Sequence, residues 1–325
     1  MRKFLFEAFK ILISITLIYL IFKNMDIKAF LNQIKSINLP IYFLAIVFGF
    51  IGYFFSAVRW FVFIKAYKLN VSFFEANKYV FVSLFLGLIL PSGAGVDLVR
   101  FFYAQRNNLD RRAEVLSSIF VDRFVGVIAL VCLALLGVYF GVEKIRQVAK
   151  ELIWIMLLLI GFFIFMLTPL FEKIILLLFG NIKKFRIGER VQKLLSSFSL
   201  YKDNKVVVIF SFFISIIMQF FFGTSAFFIS KSLGFNLNLI EVILITSAIN
   251  FITMIPISFS GIGIREGGFI FFLSDKVGFE GAVAVSILYY FSGIFAFSPF
   301  GLLVFILEPV KWTLRKEELW KNWEL

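Results

Sequence analysis

Pro91-Ser92-Gly93-Ala94-Gly95-Val96-Asp97-Leu98-Val99-Arg100 interrupts an otherwise membrane-length apolar sequence, and a second interruption follows at Pro256 and Ser260-Gly261-Ile262-Gly263-Ile264-Arg265-Glu266. An offset of 168 residues sets Gly93 on Gly261 and Gly95 on Gly263, and also Phe101 on Phe269, Val115 on Val283, Ser118 on Ser286 and Ile119 on Ile287, without a gap. Paired broken segments at corresponding places in two halves are the sequence pattern of a membrane transport site.

Composition agrees with a membrane setting. The chain is 61% hydrophobic and only 16% charged, with a mean hydropathy of +0.96, and several apolar runs fit a hydrocarbon core of ~30 Å. The longest polar stretch, Lys183 to Lys205, is too short and basic for a separate catalytic fold. A net charge of +13 suggests nucleic acid, but the cations lie in loops between spans, where cytoplasmic retention and anionic lipid explain them. Nucleic acid is therefore not an expected partner. Cys132 is alone and His is absent, which excludes intrachain disulfides and His-based metal sites. No cofactor is expected. The apolar run ending at Phe22 has basic residues before it and no small-residue cleavage pattern after it, so it reads as a retained first span.

Six full spans are predicted near 4–22, 40–64, 113–140, 152–171, 206–231 and 281–307. Two re-entrant helical hairpins, near 77–105 and 239–275, complete an all-α polytopic fold in one membrane domain, 1–325. Its halves are 1–145 and 206–310, joined by a basic cytoplasmic connector, 172–205. With both termini inside, 65–78, 106–112, 172–205 and the tail hold most loop cations. The external loops, 23–39, 141–151 and 232–238, are not free of Lys. Three crossings then separate the hairpins, which makes the repeats inverted, as alternating access about a midplane site requires. Phe185 to Leu200 reads either as an amphipathic surface helix or as a loop.

The chemistry is expected at the breaks. Glycine turns let backbone amides converge on an anion, and a half-helix starting after the turn adds its positive end. Ser92, Gly93, Gly95, Asp97 and Arg100 form one candidate set, and Ser260, Gly261, Gly263, Arg265 and Glu266 the other. Tips at the membrane surface would make these ordinary turns with solvated charges. Asp122 and Arg123 lie about ten residues into a span, ~15 Å deep. Neighbours on a helix point about 100° apart, so they should satisfy partners other than each other. Arg123 is expected to face the cavity, with Asp122 as counter-charge; the alternative is a buried pair that fixes helix packing. Arginines 100, 123 and 265 could line one path for a phosphate, which a planar guanidinium binds bidentately. Gly261-x-Gly263 has no βαβ context, and no Walker motif is present.

These residues resemble the flippase-like membrane family that includes the transmembrane region of lysylphosphatidylglycerol synthases, the UPF0104 group. The resemblance covers nearly the whole chain. It rests on Pro91 to Arg100, on Asp122, Arg123 and Gly126, and on Ser260 to Glu266. Ser92 and Ser260 stand where Gly is expected, Asp122 replaces Glu, and Phe259 stands where Pro is common. The resemblance implies movement of anionic or modified phospholipids, or of a polyprenyl-linked precursor, between leaflets of a prokaryotic plasma membrane. The synthases add a soluble aminoacyl-transferase domain after this region; here only a short basic tail follows, so aminoacyl transfer is not expected. The leading expectation is a flippase or scramblase and not an enzyme, its partners being lipids with anionic head groups and envelope-biosynthesis enzymes. The alternatives are a membrane enzyme on a lipid-linked donor, with Asp97 or Glu266 as base, and a non-catalytic envelope partner.

Overall fold

The computed structural model describes residues 2–89, 93–166, 168–179, 204–255 and 257–308. Among the described residues every regular element is helical. In chain order these are α1 (Arg2–Asn24), α2 (Ile27–Lys35), α3 (Leu39–Ala66), α4 (Phe73–Gly87), α5 (Gly93–Ala104), α6 (Arg112–Tyr139), α7 (Glu143–Gln147) and α8 (Ala149–Met166). They continue with α9 (Pro169–Phe179), α10 (Lys205–Ser232), α11 (Leu239–Met254) and α12 (Ile264–Leu307). Five segments among the described residues are long and apolar enough to cross a membrane. Leu12, Phe43, Leu158, Phe213 and Leu303 stand exposed on the outer surface, an apolar exterior suited to lipid rather than water. The chain is an integral, all-α membrane protein.

The first predicted span, 4–22, lies within α1, a helix of 23 residues. Two boundaries differ from the sequence reading. The span predicted at 152–171 ends at Met166. Pro169 lacks the N–H that a continuing helix needs, and the Thr168 hydroxyl accepts from the Phe171 amide, so a new helix starts there. Of the 172–205 connector, residues 172–179 lie in α9, whereas the 185–200 segment falls outside the described residues.

Two helix-break-helix units hold the breaks. Gly87, at the end of α4, lies against Val96, near the start of α5, while the rings of Tyr79 and Tyr103 meet 5.2 Å apart at the other end. The two helices therefore fold back antiparallel. Ser72 and Glu75 start α4 with reciprocal side-chain and backbone bonds. Similarly, α11 and the first arm of α12, 264–277, are antiparallel: Gly268 packs on Ile249, and Lys276 pairs with Glu241. Gly278, at φ 77°, separates that arm from the second, 279–307. Each hairpin helix is ~18 to 24 Å long, short of the ~30 Å core.

The halves pack reciprocally. Each supplies a 28-residue helix before its hairpin, α3 or α10, and a long helix after it, α6 or the second arm of α12. Helix α4 packs on α12, and α11 packs on α6. Helices α3 and α10 lie along one another in opposite directions: Asn38 N–H donates to Ser232 O, Ser225 Oγ to Ala45 O, and Arg59 Nη1 to Ser215 Oγ. Gly223 permits the next contact, since a Cβ there would sit 2.5 Å from the Ile243 backbone. One buried cluster gathers around the first hairpin and Trp60, and a second around Ile249, Phe269 and Val285 of the other. The site lies between them.

Candidate functional site

The first half contributes a ladder of charges inside apolar helices. Asp122 of α6 is almost fully buried and accepts from Arg59 Nε at 2.7 Å, Arg59 Nη2 at 3.2 Å and Arg100 Nη1 at 3.2 Å. Arg100 also donates to Asp97 Oδ1 at 2.6 Å. Arg123 Nε donates to both oxygens of Asp97, at 2.9 and 3.1 Å. Adjacent residues Asp122 and Arg123 thus serve different partners, as their angular separation on the helix dictates. The Arg100 guanidinium lies over the Trp60 ring, 5.1 Å from its centroid, and its Nε has no partner among the described residues.

Arg59 was missed in the sequence reading although it is a charge inside a predicted span, 40–64, five residues from its end. Its seat depends on Gly126, one turn beyond Asp122. A Cβ at 126 would lie 2.6 Å from Arg59 Nη1, so only glycine lets the guanidinium lie against α6.

The second break is tied differently. Ser260, Gly261 and Gly263 have φ of 52°, 75° and 86°, and α1 buttresses the turn: Ser14 Oγ accepts from Phe259 N–H at 2.9 Å, and Leu17 packs on Gly263. Glu266 accepts from the Gly263 amide at 2.6 Å, from Arg265 Nη2 at 2.9 Å and from Ser286 Oγ at 3.3 Å. The expectation that the Gly263 amide would be offered to an anion is therefore corrected, because the first-turn carboxylate of the following helix already takes it. Arg265 stacks on Tyr290, 4.1 Å from the ring centroid.

Between the halves is a cavity of about 350 Å³. Arg59, Arg100, Arg123 and Arg265 line it, with Asp122 the acidic residue among its described walls. Of the predicted residues, Arg100, Asp122, Arg123, Ser260 and Arg265 reach it. Asp97 and Glu266 stand behind, each bonded to an arginine that does. Gly93, Gly95, Gly261 and Gly263 shape the breaks and are not among the described walls. Ser92 lies outside the described residues. Exposure separates the arginines: the Arg123 side chain is 38% exposed and Arg265 11%, against 3% for Arg100 and 5% for Arg59.

Residues 8–301 match the sequence profile of the lysylphosphatidylglycerol synthase TM region. The chain belongs to this family. It is similar to a UPF0104 membrane protein of Methanocaldococcus jannaschii, 22% identical over 69% of this chain and 94% of that protein. It is also similar to a UPF0104 membrane protein of Pyrococcus horikoshii, 24% identical over 88% of this chain and 91% of the relative. The match takes in both hairpins, the Asp122-Arg123-Gly126 patch and all four cavity arginines. Family membership accords with a membrane, lipid-related role.

Proposed function

We propose that this protein moves a lipid with an anionic, phosphate-bearing head group between leaflets, the head passing through the arginine-lined cavity while the tails stay in the bilayer. The observation that carries this reading is a cavity between the two halves faced by four arginines and one aspartate. Arginine stays charged when desolvated and grips phosphate oxygens through two parallel N–H bonds. Arg123, the most exposed of the four and held by Asp97 among the described residues, is the first contact for an entering head group. The cavity falls within the range of small-ligand sites, ~300 to 1,000 Å³. Opposite-running α3 and α10, with reciprocal hairpin packing, suit re-entrant hairpins in inverted repeats that rock about this cavity. The orientation follows positive charge, with the rim near Lys68, Arg106 and Arg111 cytoplasmic in a plasma membrane.

A transport role is favoured over catalysis because Asp97, Asp122 and Glu266 are each engaged by arginine. In each, an arginine already occupies a carboxylate oxygen that a base would turn to substrate. The test is exchange of labelled phosphatidylglycerol and polyprenyl phosphate in proteoliposomes, for wild type and Arg123→Ala, followed by mass spectrometry of the recovered lipid. Exchange that requires Arg123 and leaves the lipid intact is expected. Altered lipid would point to an enzyme, and absence of exchange with both lipids would reject the proposal.

A further inference from the structure

The cavity carries two kinds of chemistry side by side. Along α3, Tyr53 lies six residues from Arg59, and along α10, Gln219 lies one turn from Ser215, the hydroxyl that Arg59 holds. Both steps run in the same direction because the helices are antiparallel. An uncharged wall therefore follows the arginines by ~6 to 9 Å.

That wall is rich in hydrogen-bonding groups. Asn250 Nδ2 donates to Gln219 Oε1 and lies within reach of the Tyr289 hydroxyl, both at 3.2 Å. This sets the amide of Gln219, a residue only 4% exposed, with its NH2 toward the cavity. That NH2 and the hydroxyls of Tyr53 and Tyr290 have no hydrogen-bond partner among the described residues, though all three residues line the cavity. Groups left open toward a cavity in this way can bond a polar ligand there. At the offset of 168, Tyr290 stands where the first half has Asp122, and Arg265 where it has Asp97. At the position that carries Asp122 in the first half, the second half thus presents a neutral hydroxyl. A cationic head group would find no free carboxylate here, since Asp122 is held by Arg59 and Arg100.

We infer that this wall is a subsite for the uncharged, hydroxyl-bearing part of the head group, so the preferred cargo is a phosphodiester carrying a neutral polyol or sugar. Bare phosphate leaves the wall unbonded, and an aminoacylated head brings an ammonium against four arginines. The inference rests on the transport reading above and adds the head-group class to it.

The experiment compares exchange of labelled phosphatidylglycerol, phosphatidic acid and lysyl-phosphatidylglycerol in proteoliposomes, and of polyprenyl phosphate with polyprenyl phosphohexose. The hydroxyl-bearing neutral member of either series should move about tenfold faster than its relatives, the worth of one to two hydrogen bonds. Gln219→Met and Tyr53→Phe, which keep volume, should bring phosphatidylglycerol exchange down to the phosphatidic acid rate. The series that shows the preference names the lipid source. Equal rates within both series, lysyl-phosphatidylglycerol moving as fast as phosphatidylglycerol, or variants that slow every lipid alike would overturn the subsite. Failure of every lipid to move, phosphatidic acid included, would instead reject the transport reading and the inference with it.

Discussion

At the scale of single residues, burial separates the buried cavity arginines from the exposed Arg123. Arg59 and Asp122 form a two-point pair with side chains 5% and 1% exposed. Removing Asp122 strands Arg59, which costs about 3 to 5 kcal/mol, and removing Arg59 leaves the buried Asp122 with Arg100 alone. Arg59→Ala and Asp122→Ala are therefore expected to lower the unfolding temperature in detergent strongly. Arg123→Ala, removing a side chain that is 38% exposed, should leave unfolding nearly unchanged and abolish lipid exchange. If Arg123→Ala unfolds as readily as Asp122→Ala, its role is structural. Gly126→Ala tests the seat of Arg59. Its Cβ would meet Nη1 at 2.6 Å, and that guanidinium is already fixed by Asp122 and Ser215. A loss of about 1 to 3 kcal/mol is expected, the usual range for overpacking, and a neutral thermal unfolding curve would count against the contact.

At the scale of elements, the two breaks are built for different constraints. The second combines successive positive φ angles with a wall supplied by α1. At Gly263, φ is 86° and ψ is −45°, a region closed to residues with a Cβ except under strain of about 1 to 3 kcal/mol. An added Cβ would also lie 2.6 Å from that of Leu17. Gly267, four residues on in the same helix, has nothing within 4 Å. Gly263→Ala should destabilise clearly, whereas Gly267→Ala should be neutral or stabilise by up to ~1 kcal/mol through helix propensity. Thermal unfolding of the pair provides the check, and equal melting temperatures would refute the strain at the turn.

At the scale of the whole molecule, the antiparallel crossing of α3 and α10 makes a topological prediction. The Asn38 and Ser232 ends meet through a backbone hydrogen bond, so Lys35→Cys and Asn236→Cys should react with an impermeant thiol reagent from one side of the membrane. Asn70→Cys and Lys205→Cys, at the opposite ends of the same helices, should react from the other side, the cytoplasmic one by the distribution of Lys and Arg. The measurement uses a chain whose lone cysteine, Cys132, has first been replaced. Labelling of Lys35→Cys and Asn70→Cys from the same side would contradict the crossing.

The sequence by itself determined the solvent, the helical class, the position of both breaks and most long-helix boundaries, because the length of an apolar run and the conformational demands of Gly and Pro are local properties. It also marked Arg100, Asp122, Arg123 and Arg265, since a charge inside an apolar run is visible without neighbours. Tertiary structure alone decided the pairing. That Asp122 serves Arg59 and Arg100 while Arg123 serves Asp97, and that Glu266 consumes the Gly263 amide, depends on how helices from different parts of the chain meet. The neutral wall of Tyr53, Gln219 and Asn250 was hidden for the same reason: single polar residues on three separate helices carry no pattern until packing brings them to one cavity.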